Sequence, residues 1–258
     1  MNNSNHVILH NTTQIQEKRK KIALAIPGDN FSSKFLISLT ATLNNFRNSG
    51  KYDIIVITGV SSYVTFARMQ TLGLDVLRGA DQKPFNNSEF DYWITIDSDI
   101  IFTPDQVNSL IESLEIHPVV AGMYRMSNLI NYAIAKESNM NYLLKNGCFE
   151  FLTPEYVEKW TKETSLKYMT VSFTGLGFFG MHSEVLKKMT YPYFNTNYEI
   201  IIKDKNIIRI IYPEGIDTAS IIDFCSEDVA FCKNIQKAGY QIVIDTSCTV
   251  GHYKNIII

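Results

Sequence analysis

A short apolar segment that runs into two aspartates constrains this chain most. Residues 92–102 read YWITIDSDIIF, so Asp97 and Asp99 have apolar residues on both sides. Two ionised carboxylates at the edge of an apolar core repel each other and lose hydration, so they must be protonated, hydrogen-bonded or neutralised by a cation. Side chains two positions apart on an extended segment point to the same side, which lets both aspartates reach one hard divalent ion. The segment therefore predicts a buried strand that ends in a metal site.

A second interpretation is that these acids cap the helix that follows them. The next helix, however, has its own start signals, because Thr103 suits the N-cap and Pro104 suits the first helical position. Asp97 and Asp99 are then left at the carboxyl end of a strand, where open α/β sheets bind their ligands. We therefore favour the metal site.

The size and charge of the chain exclude several classes of protein. With 258 residues, 45% of them hydrophobic, it can bury a full core as one large domain or as two closely joined halves. The 24 basic and 26 acidic residues give a net charge of -2 without a long basic stripe, which argues against a nucleic-acid partner. No apolar run reaches the roughly 18 residues of a transmembrane span, and nothing resembles a secretory signal. We expect a soluble, cytoplasmic protein.

The first 20 residues differ in composition from the rest. They are rich in Asn, Gln and Thr and end in the basic residues 18–20, so they cannot bury enough apolar surface to order themselves. The sequence predicts a disordered polar tail over residues 1–20 and a single folded domain over residues 21–258. The basic residues fit a solvated flank better than contact with a membrane surface or an acidic partner.

The order of apolar segments in the first half predicts an α/β fold. Residues 22–26 and 52–57 have the composition of buried strands, whereas residues 35–46 and 64–77 have helical spacing. Alternation of apolar strands with helices predicts a mainly parallel sheet that helices cover on both faces.

The second half, from about residue 111, is less regular. We predict a strand over residues 118–124, a helix that starts at residue 153, and turns mixed with an Ile-rich β pattern over residues 192–220. Residues 173–180 (FTGLGFFG) hold three glycines, among them Gly175 and Gly177, but lack GxGxxG spacing. These glycines let the backbone approach either a ligand or a neighbouring strand, and both interpretations stay open.

A second acidic pair lies at the start of a predicted helix. Ser226 precedes Glu227 and Asp228, and apolar residues at helical spacing follow, so Ser226 is the predicted N-cap. Acids in the first turn complement the helix dipole, and this alone explains their presence. The dipole also lowers the pKa of a carboxyl group, so we expect Asp228 to be ionised at neutral pH and able to accept a proton.

A histidine follows the strand predicted at residues 240–245. A lone histidine such as His252 is most often a surface or packing residue. Its imidazole is also a good third ligand for a manganese-type ion that carboxylates already hold.

Taken in order, these segments resemble the GT-A glycosyltransferases over about residues 21–254. The resemblance implies a GT-A α/β fold with a nucleotide-sugar-binding half over about residues 21–110 and an acceptor-binding half over about residues 111–258. The residues that carry it are Pro27, Gly28 and Asp29 after the first strand, Ala67 and Arg68 on the second helix, Asp97, Ser98 and Asp99, the stretch 175–180, Glu227, Asp228 and His252.

What the resemblance implies is a metal-dependent glycosyltransferase that moves a sugar, of hexose type, from a nucleotide-diphosphate sugar to a hydroxyl acceptor such as a glycan. UDP-sugar is the favoured donor and GDP-sugar the alternative. Glu227 and Asp228 then lie at the acceptor site, with Asp228 as catalytic base if the reaction inverts, and Gly175 and Gly177 lie on the acceptor side. The ligands of Mn²⁺ or Mg²⁺ are Asp97, Asp99 and His252, and the nucleotide-sugar contacts are Pro27, Gly28, Asp29, Arg68, Asp97, Ser98, Asp99 and Lys254.

Three other classes of protein share parts of this pattern. A sugar-phosphate nucleotidyltransferase has the same nucleotide-binding half but opens with a glycine-rich basic loop, which residues 27–34 lack. A haloacid-dehalogenase-type phosphatase carries its aspartates near the first strand, with Thr or Val two positions on, where this chain has Ile101. A non-catalytic carbohydrate-binding protein on the transferase fold is expected to have lost acidic residues that are all present here. We rank the nucleotidyltransferase second.

Overall fold

The computed structural model describes residues 18–75, 79–137, 139–203, 205–206, 209 and 218–254. The strands of this part are β1 (Lys20–Pro27), β2 (Tyr52–Gly59), β3 (Tyr92–Ile96), β4 (Ile100–Ile101), β5 (Val119–Met123), β6 (Ile134–Ala135), β7 (Tyr168–Val171), β8 (Phe173–Thr174), β9 (Phe178–His182), β10 (Asn197–Ile202), β11 (Ala219–Phe224), β12 (Ile242–Thr249) and β13 (Gly251–His252). The α-helices are α1 (Ser33–Ser49), α2 (Val64–Thr71), α3 (Pro104–Leu114), α4 (Met140–Asn146), α5 (Pro154–Thr164), α6 (Ser183–Lys188) and α7 (Glu227–Lys237).

A seven-stranded sheet in the order β2-β1-β3-β9-β5-β12-β7 forms the centre of the molecule. Successive side chains of a strand point to opposite faces, so Trp93 packs into one hydrophobic cluster and Ile94 into the other. Phe35 of α1 and Leu110 of α3 cover the face of Ile94, and Phe231 of α7 covers the face of Trp93. Helices on both faces of the sheet confirm the predicted α/β class.

The sheet is mixed where the sequence pattern predicted mainly parallel pairing. Strands β1 and β2, β1 and β3, and β5 and β12 pair in parallel, but β9 lies antiparallel between β3 and β5, and β7 is antiparallel to β12. Phe178 and Phe179 of β9 are fully buried on opposite faces, so this strand has the same apolar composition as its parallel neighbours. Apolar composition reports burial on both faces and not strand direction, which is why the pattern missed this insertion.

Two element boundaries differ from the prediction. Strand β1 starts at Lys20, inside the predicted tail, because Lys20 pairs with Tyr52 and the backbone N–H of Lys21 donates to Asp91 Oδ2 over 2.7 Å. Helix α2 ends at Thr71, six residues before its predicted end at residue 77, since Gly73 adopts a left-handed conformation with φ of 65°. The predicted tail over residues 1–17 lies outside the described residues, as do residues 76–78.

Two further predicted elements are present with small shifts, whereas much of the Ile-rich β pattern predicted over residues 192–220 lies outside the described residues. The strand predicted at residues 118–124 is β5, and the helix predicted from residue 153 is α5, capped by Thr153. Thr103 and Gln106 form a capping box at the start of α3, so this helix does have its own cap. None of the described helices combines the length and the apolar character needed to cross a bilayer.

Candidate active site

A buried arginine lies at the centre of an acidic cluster at the carboxyl end of β3. Arg68 of α2 is only 4% exposed in its side chain. Its Nη1 and Nη2 donate to the two carboxylate oxygens of Asp97 over 2.9 and 3.2 Å, and its Nε donates to Glu227 Oε1 over 3.3 Å. Nη2 also lies 3.3 Å from Asp228 Oδ1. We call these four residues the Arg68 cluster.

The position of Arg68 depends on close packing of α2 against the sheet. A Cβ added to Gly59, at the end of β2, would lie only 2.1 Å from the carbonyl oxygen of Ala67. A glycine at position 59 therefore lets α2 approach close enough to insert Arg68 beneath the acids. The GT-A resemblance implied that Arg68 contacts the nucleotide sugar; the structure instead buries Arg68 against three carboxylates.

Asp228 is the acid of the cluster with the most strongly perturbed titration. The side chain of Asp228 is 26% exposed, but its Oδ1 atom is buried and makes no hydrogen bond. Burial, with a further contribution from the charges of Glu227 and Asp97, raises the pKa of Asp228 to about 7 against the opposing effect of Arg68. The prediction that the helix dipole lowers the pKa of this carboxyl group is therefore wrong, because burial raises that pKa by more than the dipole can lower it.

The N-cap that places this acid is as predicted. Ser226 Oγ accepts a hydrogen bond from the backbone N–H of Val229 over 3.4 Å, and α7 starts at Glu227. Glu227 and Asp228 thus occupy the first turn of the helix, with both side chains directed at Arg68.

A second charged group surrounds Asp99. Asp99 Oδ2 accepts a hydrogen bond from Lys254 Nζ over 2.6 Å and lies 3.2 Å from His252 Nε2. Burial alone raises the pKa of Asp99, but hydrogen bonds to His252 and Lys254 outweigh it and lower the pKa to about 2. The hydrogen bond to Asp99 raises the pKa of His252. Strand β13 holds this group in place, because His252 pairs with Ile100 and the N–H of Tyr253 donates to the carbonyl of Asp99.

The donors of this group fit a divalent cation in part. His252 Nδ1 lies 2.6 Å from the carbonyl oxygen of Arg125, which can only accept, so Nδ1 carries a proton. In the imidazolium form Nε2 also donates to Asp99, whereas loss of the Nε2 proton would leave its lone pair available to a cation. Both oxygens of Asp97 instead accept from Arg68. Within the described residues, no three His, Cys, Asp or Glu side chains are arranged to hold a metal ion. Of the three predicted ligands, the structure brings Asp99 and His252 together and ties Asp97 to the arginine.

Tyr124 connects the two charged groups, and the sequence analysis did not select it. Its ring contacts that of His252 edge-on, with centroids 5.2 Å apart. Burial raises the pKa of Tyr124 well above its usual value, and the nearby charges of Asp228 and Asp97 raise it further. Both groups therefore lie around one buried tyrosine. Its position at the end of the strand predicted over residues 118–124 is the sequence signal that could have identified it.

Gly175 and Gly177 make room for this tyrosine. A Cβ on Gly175 would lie 1.9 Å from Tyr124 Oη, and a Cβ on Gly177 would lie 2.8 Å from its ring. Tyr124 Oη also accepts a hydrogen bond from the N–H of Gly177 over 3.2 Å. Close packing thus accounts for both glycines, and Gly175 in addition lines a cavity next to Asp228.

The loop after β1 lies against the aspartate segment. A Cβ on Gly28 would lie 2.7 Å from Ser98 Oγ, so this glycine permits close contact between the two loops. Pro27 is buried and Asp29 is exposed. The structure therefore gathers the loop over residues 27–29, Ser98 and both charged groups at one edge of the sheet.

A cavity of about 630 Å³ opens beside Asp228 on the side of α4. Most of its lining is apolar, and half of the lining residues come from α4, from the segment that follows it and from β8. Asp228, Ser226 and Thr174 are polar residues of the lining.

Comparison with known proteins gives structural relatives only. No protein-family model matches the chain, and no curated protein sequence is detectably similar to it. Solved structures similar to this chain include protein A197 from STIV, glucosyl-3-phosphoglycerate synthase from Mycobacterium tuberculosis with Mn²⁺, UDP and phosphoglyceric acid, and GalNAc-T7 with UDP, GalNAc and Mn²⁺.

The extent of these similarities differs. A197 is 14% identical, with a TM-score of 0.45, and the match covers 93% of this chain and 96% of that one. The synthase is 16% identical, with a TM-score of 0.36, over 66% of this chain and 58% of the synthase. GalNAc-T7 is 9% identical, with a TM-score of 0.50, over 92% of this chain and 43% of GalNAc-T7. The fold matches that of a GT-A glycosyltransferase.

Proposed function

We propose that the chain is a metal-dependent glycosyltransferase that moves a sugar from a nucleotide-diphosphate sugar, with UDP as the favoured nucleotide, to a hydroxyl acceptor. The observation that carries the proposal is the convergence of the Arg68 cluster and the Asp99–His252 pair around Tyr124, at one edge of the sheet. The GT-A fold and the UDP and Mn²⁺ bound to GalNAc-T7 support it.

The donor side of the site contains His252, Lys254 and the loop after β1. Asp99 and His252 would hold Mn²⁺ or Mg²⁺, and substrate phosphate oxygens commonly complete such a coordination sphere. When bound, the cation stabilises the negative charge of the departing nucleoside diphosphate by several kcal/mol. Lys254, which is 40% exposed and bonded to Asp99, lies next to this position and binds a phosphate oxygen in our proposal.

The nucleoside is assigned to the loop over residues 27–29 and Ser98. Gly28 contacts Ser98, so both loops border the same space beside Asp99. Asp29 in this loop is exposed to solvent. We propose that its carboxylate and Ser98 Oγ accept hydrogen bonds from the nucleoside.

Asp228 is the proposed base on the acceptor side. The acceptor hydroxyl attacks the anomeric carbon, the bond from that carbon to the phosphate oxygen breaks, and the Asp228 carboxylate takes the hydroxyl proton. A pKa of about 7 suits this role, since a general base is most effective when its pKa lies near the working pH. Such a single displacement inverts the anomeric configuration.

Arg68 is a positioning residue in this scheme. Its bidentate bonds to Asp97 and its contacts with Glu227 and Asp228 fix the acids relative to the aspartate segment. The planar guanidinium suits this task because it offers several donors in fixed directions. Glu227, which also pairs with Arg68, adds a negative charge beside Asp228 and so raises the pKa of Asp228.

The proposal is tested by donor turnover with purified protein. With Mn²⁺ and a panel of UDP- and GDP-sugars, we expect release of nucleoside diphosphate on transfer to an alcohol acceptor, and loss of release with EDTA. Asp228→Asn is expected to slow transfer about 100-fold or more, because the proton acceptor is removed. It should retain binding of UDP with Mn²⁺, measured by calorimetry, whereas Asp99→Ala should lose that binding.

Asp105→Asn is the matched control. Asp105 also lies in the first turn of a helix, α3, but it is exposed and belongs to neither charged group. It should leave transfer unchanged. UDP binding that is unchanged by EDTA and by Asp99→Ala would contradict the metal site. Transfer at the wild-type rate by Asp228→Asn would contradict the role of Asp228 as base. Release of pyrophosphate from UTP and a sugar phosphate would indicate a nucleotidyltransferase instead.

A further inference from the structure

We propose that the cavity beside Asp228 binds an apolar group of the acceptor, so that the acceptor is an alkyl or aryl compound bearing a hydroxyl group and not a wholly polar glycan. The inference rests on the proposed function, because Asp228 is taken as the residue that meets the reacting hydroxyl. It adds a substrate class that the catalytic residues alone do not specify.

The chemistry of the cavity wall supports an apolar occupant. Phe149 and Phe173 lie with their ring centroids 4.9 Å apart, and Leu143, Leu144 and Phe151 extend the same surface. Among the described residues that line the cavity, Asp228 is the one Asp, Glu, Lys, Arg or His. A polar glycan in such a site would lose hydration without gaining hydrogen bonds in return.

The placement of polar groups gives the occupant an orientation. Ser226 and Asp228 lie at the start of α7, whereas Leu143 and Leu144 belong to α4. A hydroxyl directed at Asp228 therefore leaves the rest of the molecule against the leucines and phenylalanines. Small-molecule sites commonly combine a mainly apolar wall with a few polar groups that fix the ligand.

The size of the cavity suits a group of moderate length. Its volume of about 630 Å³ falls within the range of roughly 300–1,000 Å³ typical of small-molecule sites. A hexyl chain or a benzyl ring together with the atoms near the reacting hydroxyl is of this order. Each methylene group moved from water into the cavity should tighten binding about three- to fourfold.

Binding of methyl, butyl, hexyl and benzyl β-D-glucosides, measured by calorimetry without donor, tests the proposal. We expect the dissociation constant to fall at least tenfold from the methyl to the hexyl compound, and the benzyl and hexyl arms to report whether a ring or a chain fits better. Protection of the exposed thiol of Cys148, which also lines the cavity, against maleimide alkylation should follow the same order.

A partly buried leucine of the wall offers a variant with a matched control. Leu143→Asn should reduce the gain from methyl to hexyl to threefold or less, because it places an amide in the apolar wall. Leu166→Asn should leave the gain unchanged, since Leu166 is 55% exposed and lies outside the cavity. Thermal unfolding of both variants checks that they are folded.

The outcomes separate this inference from the proposed function. Equal affinity for all four glucosides, or a full gain in Leu143→Asn, would overturn the apolar acceptor site even if donor turnover is observed. Tighter binding of longer compounds without turnover of any donor would support the cavity assignment and count against the transferase.

Discussion

At the scale of single residues, Arg68 decides the electrostatics of the site. One guanidinium lies within 3.3 Å of three carboxylates, and its side chain is only 4% exposed. A single positive charge cannot neutralise three negative ones, so one acid is expected to hold its proton more tightly than usual. Asp228, whose Oδ1 makes no hydrogen bond, is that acid, and its pKa is raised to about 7 by burial and by its acidic neighbours.

Removing the charge of Arg68 should destabilise the fold strongly. Arg68→Met leaves carboxylates facing each other without their cation, and loss of one partner of a buried ion pair costs about 3–5 kcal/mol. Arg68→Lys keeps the charge but loses the bidentate bonds to Asp97, so we expect an intermediate loss of stability and at least a tenfold loss of transfer. Urea unfolding and the donor-turnover assay measure the two effects.

Arg19→Met is the control for that comparison. Arg19 also pairs with an aspartate, Asp53, over 3.3 Å, but both side chains are more than half exposed. Exposed pairs contribute at most about 1 kcal/mol. If Arg68→Met destabilised the protein no more than Arg19→Met does, the buried cluster would have no special role in stability.

At the scale of secondary-structure elements, the N-cap of α7 positions the acidic pair. Ser226 Oγ fixes the first turn by accepting from the N–H of Val229, and the two acids follow directly. The dipole of the helix favours negative charge at this end. Burial nevertheless decides the titration of Asp228, because desolvation of its carboxylate outweighs the favourable effects of the helix and of Arg68.

Replacing this cap should affect stability and transfer together. Ser226→Ala removes the hydrogen bond to Val229 and should cost about 1 kcal/mol in the free energy of unfolding. Because the first turn then loosens, we expect transfer to fall severalfold. Thr153→Ala removes the equivalent bond from Thr153 to the N–H of Tyr156, at the start of α5, and should cost a similar free energy without loss of transfer. Equal activity in both variants would show that the cap does not position the acids.

At the scale of the whole molecule, strand order assembles the site. Asp97 follows β3, Tyr124 follows β5, and His252 lies in β13, directly after β12. Strand β9 separates β3 from β5, and the N–H of Asp97 donates to the carbonyl of Gly177 just before β9. The N–H of Val250 in turn donates to the carbonyl of Met123, which holds the start of β13 beside β5. Residues about 150 positions apart thus meet at one edge of the sheet.

The raised pKa of Asp228 predicts how global stability depends on pH. The unfolded chain loses this proton near the ordinary value of 3.8, whereas the folded chain keeps it up to about pH 7. Between these values the folded state binds more protons, so this residue lowers the free energy of unfolding as pH rises from about 4 to 7. The free energy of unfolding of Asp228→Asn, relative to that of wild type, should therefore be higher at pH 8 than at pH 4 by at least about 1 kcal/mol.

Urea unfolding of wild type and Asp228→Asn across this pH range makes the measurement. Asp105→Asn serves as control, since Asp105 is exposed and its variant should follow the wild-type pH dependence. A difference between Asp228→Asn and wild type that stays constant from pH 4 to 8 would contradict the raised pKa.

Much of the fold was predictable because it depends on local patterns. Apolar runs fixed the strands β1, β2, β3 and β5, and cap residues such as Thr103, Thr153 and Ser226 fixed helix starts, since these signals act over a few neighbouring residues. The direction of β9 and the early end of α2 were missed. The direction of β9 depends on which strands become its neighbours. The end of α2 depends on a left-handed turn at Gly73, which packs against Phe85, a contact that the sequence does not reveal.

Local sequence patterns identified the residues with unusual chemistry: Asp97 and Asp99 after a buried strand, Asp228 in a first helical turn, and His252 after the strand predicted over residues 240–245. Their partners follow from the folded arrangement, which pairs Asp97 with Arg68 and Asp99 with His252 and raises the pKa of Asp228. Propensity and periodicity are properties of neighbours along the chain. Desolvation and ion pairing depend instead on neighbours in space, which packing of α2, α7 and β13 against the sheet brings together.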